Sequence, residues 1–295
     1  MTTRLDGRVA IVTGAGRGIG RSVAMLLASR GAAVVVNDLG AALDGSGNDI
    51  HPAQQVVTDI AKAGGRAAAS AADIADHGAA EDLVKTTIRE FGQLDIVVNV
   101  AGILRDRMVF NMTEQEWDDV VKVHMKGTFN TVKFAAAHWR SLRDESAQNR
   151  IINFTSGSGL HGAPGQPNYA AAKLGIVGFT YSCANSLARY GVTANAISPG
   201  ASTRMTDSVP DDRRRVRSAS EDERSPDNVA PAVAYLASED SAWINGQVIR
   251  ASGYEVSLYN VPQPIVRLIN TRPWDVDELA AEARSSFGPA LGLPR

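Results

Sequence analysis

The sequence predicts an α/β fold, a single doubly wound parallel sheet of about seven strands with helices on both faces. Three observations predict it. Short β-branched runs alternate with helical patterns along most of the 295 residues, as parallel strands joined by crossover helices require. Most of those runs are nearly continuous in apolar residues, which suits strands buried on both faces. The first run also passes through a glycine-rich turn directly into an amphipathic helix, the opening unit of a Rossmann-type domain.

In chain order, strands are expected at 9–13, 33–37, 66–70, 94–99, 150–155, 193–198 and 247–250. Helical patterns lie between them at 19–29, 52–63, 79–91, 114–142, 168–190 and 226–237. Residues 38–51 are rich in Gly, Asn and Asp for a strand-to-helix connection and read as a surface insertion. Residues 203–225, rich in Pro, Ser and charge, interrupt the alternation where a mobile flap over a ligand cleft would sit. Beyond Gly253 the pattern changes to Pro-containing segments and a helix at 276–285. The domain is therefore set at 1–254, and 255–295 forms a tail packed on it or on a neighbouring subunit.

The composition, 44% hydrophobic and 21% charged, is that of a chain able to bury a large core. A net charge of -2 provides no general attraction to phosphate backbones, so nucleic acid is not an expected partner. The one basic cluster, Arg213, Arg214, Arg215 and Arg217, sits among acidic residues and reads as a solvated loop. The single cysteine, Cys183, reads as a core thiol. No leader pattern and no long apolar stretch is present, so a cytoplasmic protein without membrane contact is expected.

The first strand runs into Thr13-Gly14-Ala15-Gly16-Arg17-Gly18-Ile19-Gly20. Glycines there let the backbone approach a pyrophosphate whose charge rests on the following helix N-terminus, and strand before with helix after make the motif specific. The second strand ends in Asn37-Asp38, about 20 residues on, where an acidic group receives the adenosine ribose. Asp38 favours a 2′-hydroxyl and repels a 2′-phosphate, so NAD is preferred to NADP, although the Arg17 guanidinium could pair with a phosphate. Asp73 and Ile74 after the third strand suit the adenine edge and face. Asn99, Ala101 and Gly102 after the fourth let the cofactor pass near the backbone. Tyr169 and Lys173, four apart on a stretch without helix breakers, share one helix face. An ammonium there is expected to lower the phenol pKa and fit it for proton transfer, with the Ser156 hydroxyl holding the substrate oxygen.

With these motifs the chain resembles the short-chain dehydrogenases/reductases over about residues 5–253. The resemblance implies that Tyr169 is the general acid/base, that Lys173 binds the nicotinamide ribose, and that Ser156 orients the carbonyl. It also implies that Pro199-Gly200 and Thr203 flank the nicotinamide, and that the protein is a dimer or tetramer through the long helices before and after the fifth strand. Two departures stand out. The usual Asn-Asn-Ala-Gly is Asn99-Val100-Ala101-Gly102, and the usual catalytic Asn is His124, whose imidazole is expected to hold the water that relays protons to Lys173. His124 with the stretches 36–40 and 101–106 resembles the (3R)-hydroxyacyl-CoA dehydrogenase and bacterial hydroxysteroid dehydrogenase branch, which implies a lipophilic acyl thioester or steroid. The other histidines lack metal-ligand spacing, so no metal is expected. The reading is an NAD-dependent oxidoreductase interconverting a secondary alcohol and a ketone. An NADPH-dependent 3-oxoacyl reductase and a non-catalytic NAD-binding regulatory protein are its rivals.

Overall fold

The computed structural model describes residues 3–42, 44–201 and 222–292. The expected flap at 203–225, with its arginine cluster and Thr203, falls almost wholly outside them. Strands β1 (Val9–Thr13), β2 (Ala33–Asn37), β3 (Arg66–Ser70), β4 (Ile96–Asn99), β5 (Asn149–Phe154), β6 (Val192–Gly200), β7 (Val248–Ser252) and β8 (Glu255–Leu258) form one sheet in the order β3-β2-β1-β4-β5-β6-β7-β8. The first seven are parallel, as expected. The eighth is an addition, a short antiparallel edge strand paired with β7.

Strand registers set the site. Thr13 pairs with both Asn37 and Asn99, and Asn37 with Ser70, so four strands end level with one another. The strand order reverses between β1 and β4, which opens a crevice beyond their C-terminal ends. Alternation along the strands feeds two cores. Val12, Val34, Val98 and Ile152 face one side with Leu27, Val56 and Val233, while Ile11, Val35, Val97 and Ile151 face the other with Leu83, Trp139 and Cys183. The first side is covered by helices α1 (Gly18–Ser29) and α2 (His51–Lys62), and the second by α3 (His77–Phe91).

Capping explains where helices begin. Asp76 accepts from Ala79 N at 2.7 Å to start α3, and Thr113 with Glu116 forms a capping box for α4 (Glu114–Val121). The expected helix at 114–142 is interrupted: α4 passes through a π-helical segment, Lys122–Lys126, into α5 (Gly127–Leu142). A five-residue helix missed by periodicity, α6 (Gly157–His161), follows β5, capped by Ser156. Next come α7 (Pro167–Leu187) and α8 (Ala230–Ala237), the latter on the α1 side of the sheet.

The chain divides into two units, Met1–Tyr259 and Asn260–Arg295. β8 belongs to the first, which puts the division a few residues past the expected boundary. The second unit holds α9 (Val276–Ala290), whose N-cap Asp275 accepts from Asp277 N at 2.9 Å and whose Glu278 pairs with Arg272 at 2.9 Å.

Candidate active site

A cleft of about 900 Å³ lies beyond the strand ends. At its β1 end, Gly14 and Gly20 leave no room for a side chain. A Cβ on Gly14 would come 2.7 Å from Ala101 Cα, and one on Gly20 would run into the Gly14 carbonyl. The α1 N-terminus receives no side-chain cap and carries no acidic residue in its first turn, so its free N–H groups suit an anion. Arg17, Gly18 and Ile19 line the same wall. Asp38 Oδ2 accepts from Gly16 N and Oδ1 from Gly40 N, each at 2.7 Å, which holds the carboxylate at the cleft edge. Asp73 and Ile74 also line it, and Asn130 Nδ2 donates to Ile74 O at 2.8 Å. These residues fit a dinucleotide: a backbone cradle, an uncapped helix start and a carboxylate at the cleft edge.

Ala101 and Gly102 form the β4 side, held by Thr13 Oγ1, which accepts from Val100 N at 3.1 Å and Ala101 N at 3.2 Å. Asn99 departs from expectation, because it does not line the cleft. Its amide donates to Asn153 Oδ1 at 2.9 Å and its oxygen accepts from Thr131 Oγ1 at 2.7 Å, inside the protein. Asn153 then donates to Thr180 Oγ1 at 2.9 Å. This network ties β4, β5, α5 and α7 together, and sequence periodicity does not signal it.

Ser156, Tyr169 and Lys173 meet at the cleft, which Pro199 and Gly200 at the end of β6 also line. Ser156 Oγ accepts from Gly159 N at 2.9 Å, which leaves its hydrogen to donate. Lys173 Nζ donates to Phe154 O at 2.9 Å and stands 5.6 Å from the Tyr169 ring centroid. Asn168, fully buried, donates to Arg105 O at 3.0 Å and Glu116 O at 2.9 Å and accepts from Tyr169 N at 2.7 Å, which anchors the start of α7.

Burial pushes the Tyr169 phenol up to about 12, with a Ser156 hydrogen bond lowering it and Asp106 raising it. Burial also pushes the Lys173 ammonium down to about 7.

His124 sits in the π-helical segment at the cleft, its ring 5.2 Å from that of Tyr169 and perpendicular to it. Nε2 lies 2.8 Å from Ile103 O and 3.1 Å from Ile103 N, while Nδ1 is buried with no partner among the described residues. A Cβ on Gly102 would run into this ring, so the small residue makes room for the imidazole.

The expected surface insertion also reaches the site. Leu39, Ala41, Ala42, Asp44, Gly45 and Ser46 line the cleft, and Arg105 pairs with Asp44 at 3.8 Å and Asp119 at 3.3 Å. Ser158 and Gln166 line it too, without having been signalled by any motif. His161 does not line it and stands 3.4 Å from Tyr259 OH. Cys183 is buried, its thiol pushed up to about 11 by desolvation, as befits a packed thiol.

A family model for short chain dehydrogenase matches residues 8–214. The hydroxyacyl-CoA dehydrogenase ChsB1 of Mycobacterium tuberculosis is 44% identical over 291 residues, covering 97% of this chain and 90% of that protein. The peroxisomal multifunctional enzyme type 2 of Drosophila melanogaster is 43% identical over 259 residues, 88% of this chain but 41% of the longer relative. The crystal structure of a short chain dehydrogenase from Mycobacterium avium matches with a TM-score of 0.84 at 44% identity, over 96% of this chain and 95% of that one.

Proposed function

The chain belongs to the short chain dehydrogenase family, and from that premise we propose that it interconverts a secondary alcohol and a ketone on a lipophilic acyl substrate with NAD. Membership makes it an oxidoreductase acting on CH–OH with an NAD(P) nucleotide and a small-molecule substrate. The observation that carries the finer reading is the convergence of Ser156, Tyr169 and Lys173 on one cleft with a glycine cradle.

The nucleotide is held by Gly14, Arg17, Gly18, Ile19, Gly20, Asp38, Asp73, Ile74, Ala101 and Gly102, and when bound it supplies the hydride acceptor or donor. Asp38 supports NAD, since an anion fixed by two backbone N–H groups repels a 2′-phosphate. Ser156 donates to the substrate oxygen. In the reducing direction the neutral Tyr169 phenol gives its proton to that oxygen, and in the oxidising direction the phenolate takes it back. Lys173, near 7, exchanges protons at neutral pH. The unpartnered Nδ1 of His124 is the atom we assign to a relay water. The acyl-thioester class is supported by the likeness to the hydroxyacyl-CoA dehydrogenase ChsB1. We also assign a homo-oligomer, supported by exposed Phe129 and Leu174 on the outer faces of α5 and α7.

The test is initial-rate kinetics with NAD and NADP against 3-hydroxyacyl-CoA esters and 17β- and 3-hydroxysteroids. Tyr169→Phe is expected to lower turnover about 10³-fold while NAD affinity holds in a fluorescence titration. Unchanged turnover in that variant overturns the acid/base assignment. NAD binding with no wild-type turnover of any alcohol would mark a non-catalytic binding protein.

A further inference from the structure

A relay of three polar side chains that proton transfer does not use runs from the cleft wall to the exposed Asp106. Ser158 Oγ donates to Gln166 Oε1 at 2.8 Å, and Gln166 Nε2 donates to Asp106 Oδ2 at 2.7 Å. Ser158 and Gln166 line the cleft with Ser156 and Tyr169, and Gln166 is the N-cap of α7, one turn before Tyr169.

The relay has one polarity. A carboxylate only accepts, so Asp106 turns the amide NH₂ toward itself and the amide oxygen toward Ser158. Ser158 then spends its only hydrogen on that oxygen. The flanking backbone keeps the partners together: Arg107 N donates to Gly165 O at 2.7 Å, and Asn168 Nδ2 to Arg105 O at 3.0 Å. The second N–H of Gln166 makes no bond to a described residue and is the donor left for a ligand.

We propose that Gln166 is a substrate-recognition residue that donates this hydrogen to a carbonyl oxygen two carbons from the reacting carbinol, so that the site selects 3-hydroxyacyl thioesters over alcohols with no second oxygen nearby. The inference rests on the alcohol–ketone reading above, which puts the carbinol oxygen at Ser156 and Tyr169. Gln166 and Tyr169, three residues apart at the start of α7, both line the cleft, as two polar contacts to one short β-oxygenated chain require. A site built to hydrogen-bond a substrate group discriminates strongly against the analogue lacking it.

Titration calorimetry on the NADH-bound enzyme tests this with decanoyl-CoA and S-decyl-CoA, the thioether in which a methylene replaces the thioester carbonyl. Wild type is expected to bind the thioester about tenfold tighter, and Gln166→Leu to bring the two within about twofold. Asp106→Ala, at an exposed position, frees the amide to turn and is expected to remove about threefold of the preference. Equal binding of both ligands by wild type, or a preference that survives in Gln166→Leu, overturns the proposal while alcohol oxidation stands. Binding of neither overturns it together with the acyl-substrate reading. Absence of NAD-dependent turnover of any alcohol is the separate failure of the function itself.

Discussion

His124 shows how a single buried ring converts geometry into pH dependence. It is 1% exposed, and burial first, then the Lys173 charge, pushes its imidazole from 6.5 down to about 3. Between those values an unfolded chain carries a proton that the folded one refuses. Stability present above pH 6.5 is therefore lost as pH falls toward 3, by an amount on the order of 5 kcal/mol if that whole shift is realised. Lys173 works in a different window. Its folded value of about 7 against 10.5 means that stability rises as pH climbs between the two. His124→Asn is expected to flatten the acid limb of a urea-midpoint titration between pH 6.5 and 4, whatever constant offset the smaller side chain adds. An unchanged slope would show that another group carries the acid sensitivity. The sequence identifies His124 as a substitution for an amide, but its Ile103 partner and the opening at Gly102 come from packing.

At the scale of elements, local pattern was informative where it coincided with tertiary demand. The ranges 9–13, 33–37 and 66–70 are strands at those bounds because each run is level with its neighbours in the sheet. The span 114–142 reads as one helix, since a π-helical segment leaves hydrophobic spacing nearly intact. Gly157-Ser158-Gly159 reads as loop by propensity and becomes α6 because Ser156 caps it. β8 is a four-residue edge strand whose Val256 and Leu258 are exposed, and its Glu-Val-Ser-Leu alternation is too short a run to mark a strand. The network of Asn99, Asn153, Thr131 and Thr180 was illegible for a related reason. Its residues lie far apart in the chain, and only the fold makes them partners. Asn153→Ala removes two buried hydrogen bonds and leaves Asn99 Nδ2 without its acceptor. The expected cost is about 2 kcal/mol, read as a fall of about 4–8 °C in Tm by circular dichroism. A fall under a degree would mean that the site relaxes around the loss. Because β4, β5 and α7 position the cleft wall, kcat is expected to fall with stability in this variant.

For the whole molecule, the strand order puts the cleft at the reversal between β1 and β4, and α7 joins that cleft to the outer surface. Tyr169 and Lys173 face inward from α7, while Leu174 on the same helix is 52% exposed and Phe129 on α5 is 44% exposed. Phe129 packs edge-on to Phe179 at 6.4 Å, and Met125, itself exposed, lies so close to Gly175 that a Cβ there would meet its Cε at 2.7 Å. A strip of large apolar side chains across two adjacent helices is costly to leave in water and is the surface a second copy would cover. The double variant Phe129→Asp, Leu174→Glu puts like charges on both sides of that contact. Sedimentation equilibrium is expected to give wild type at a multiple of the 31.2 kDa chain mass and the variant at one chain mass. A wild type that stays at one chain mass at tens of micromolar overturns the assembly. If assembly also stiffens α7, the separated variant loses kcat while its NAD(P) affinity changes little.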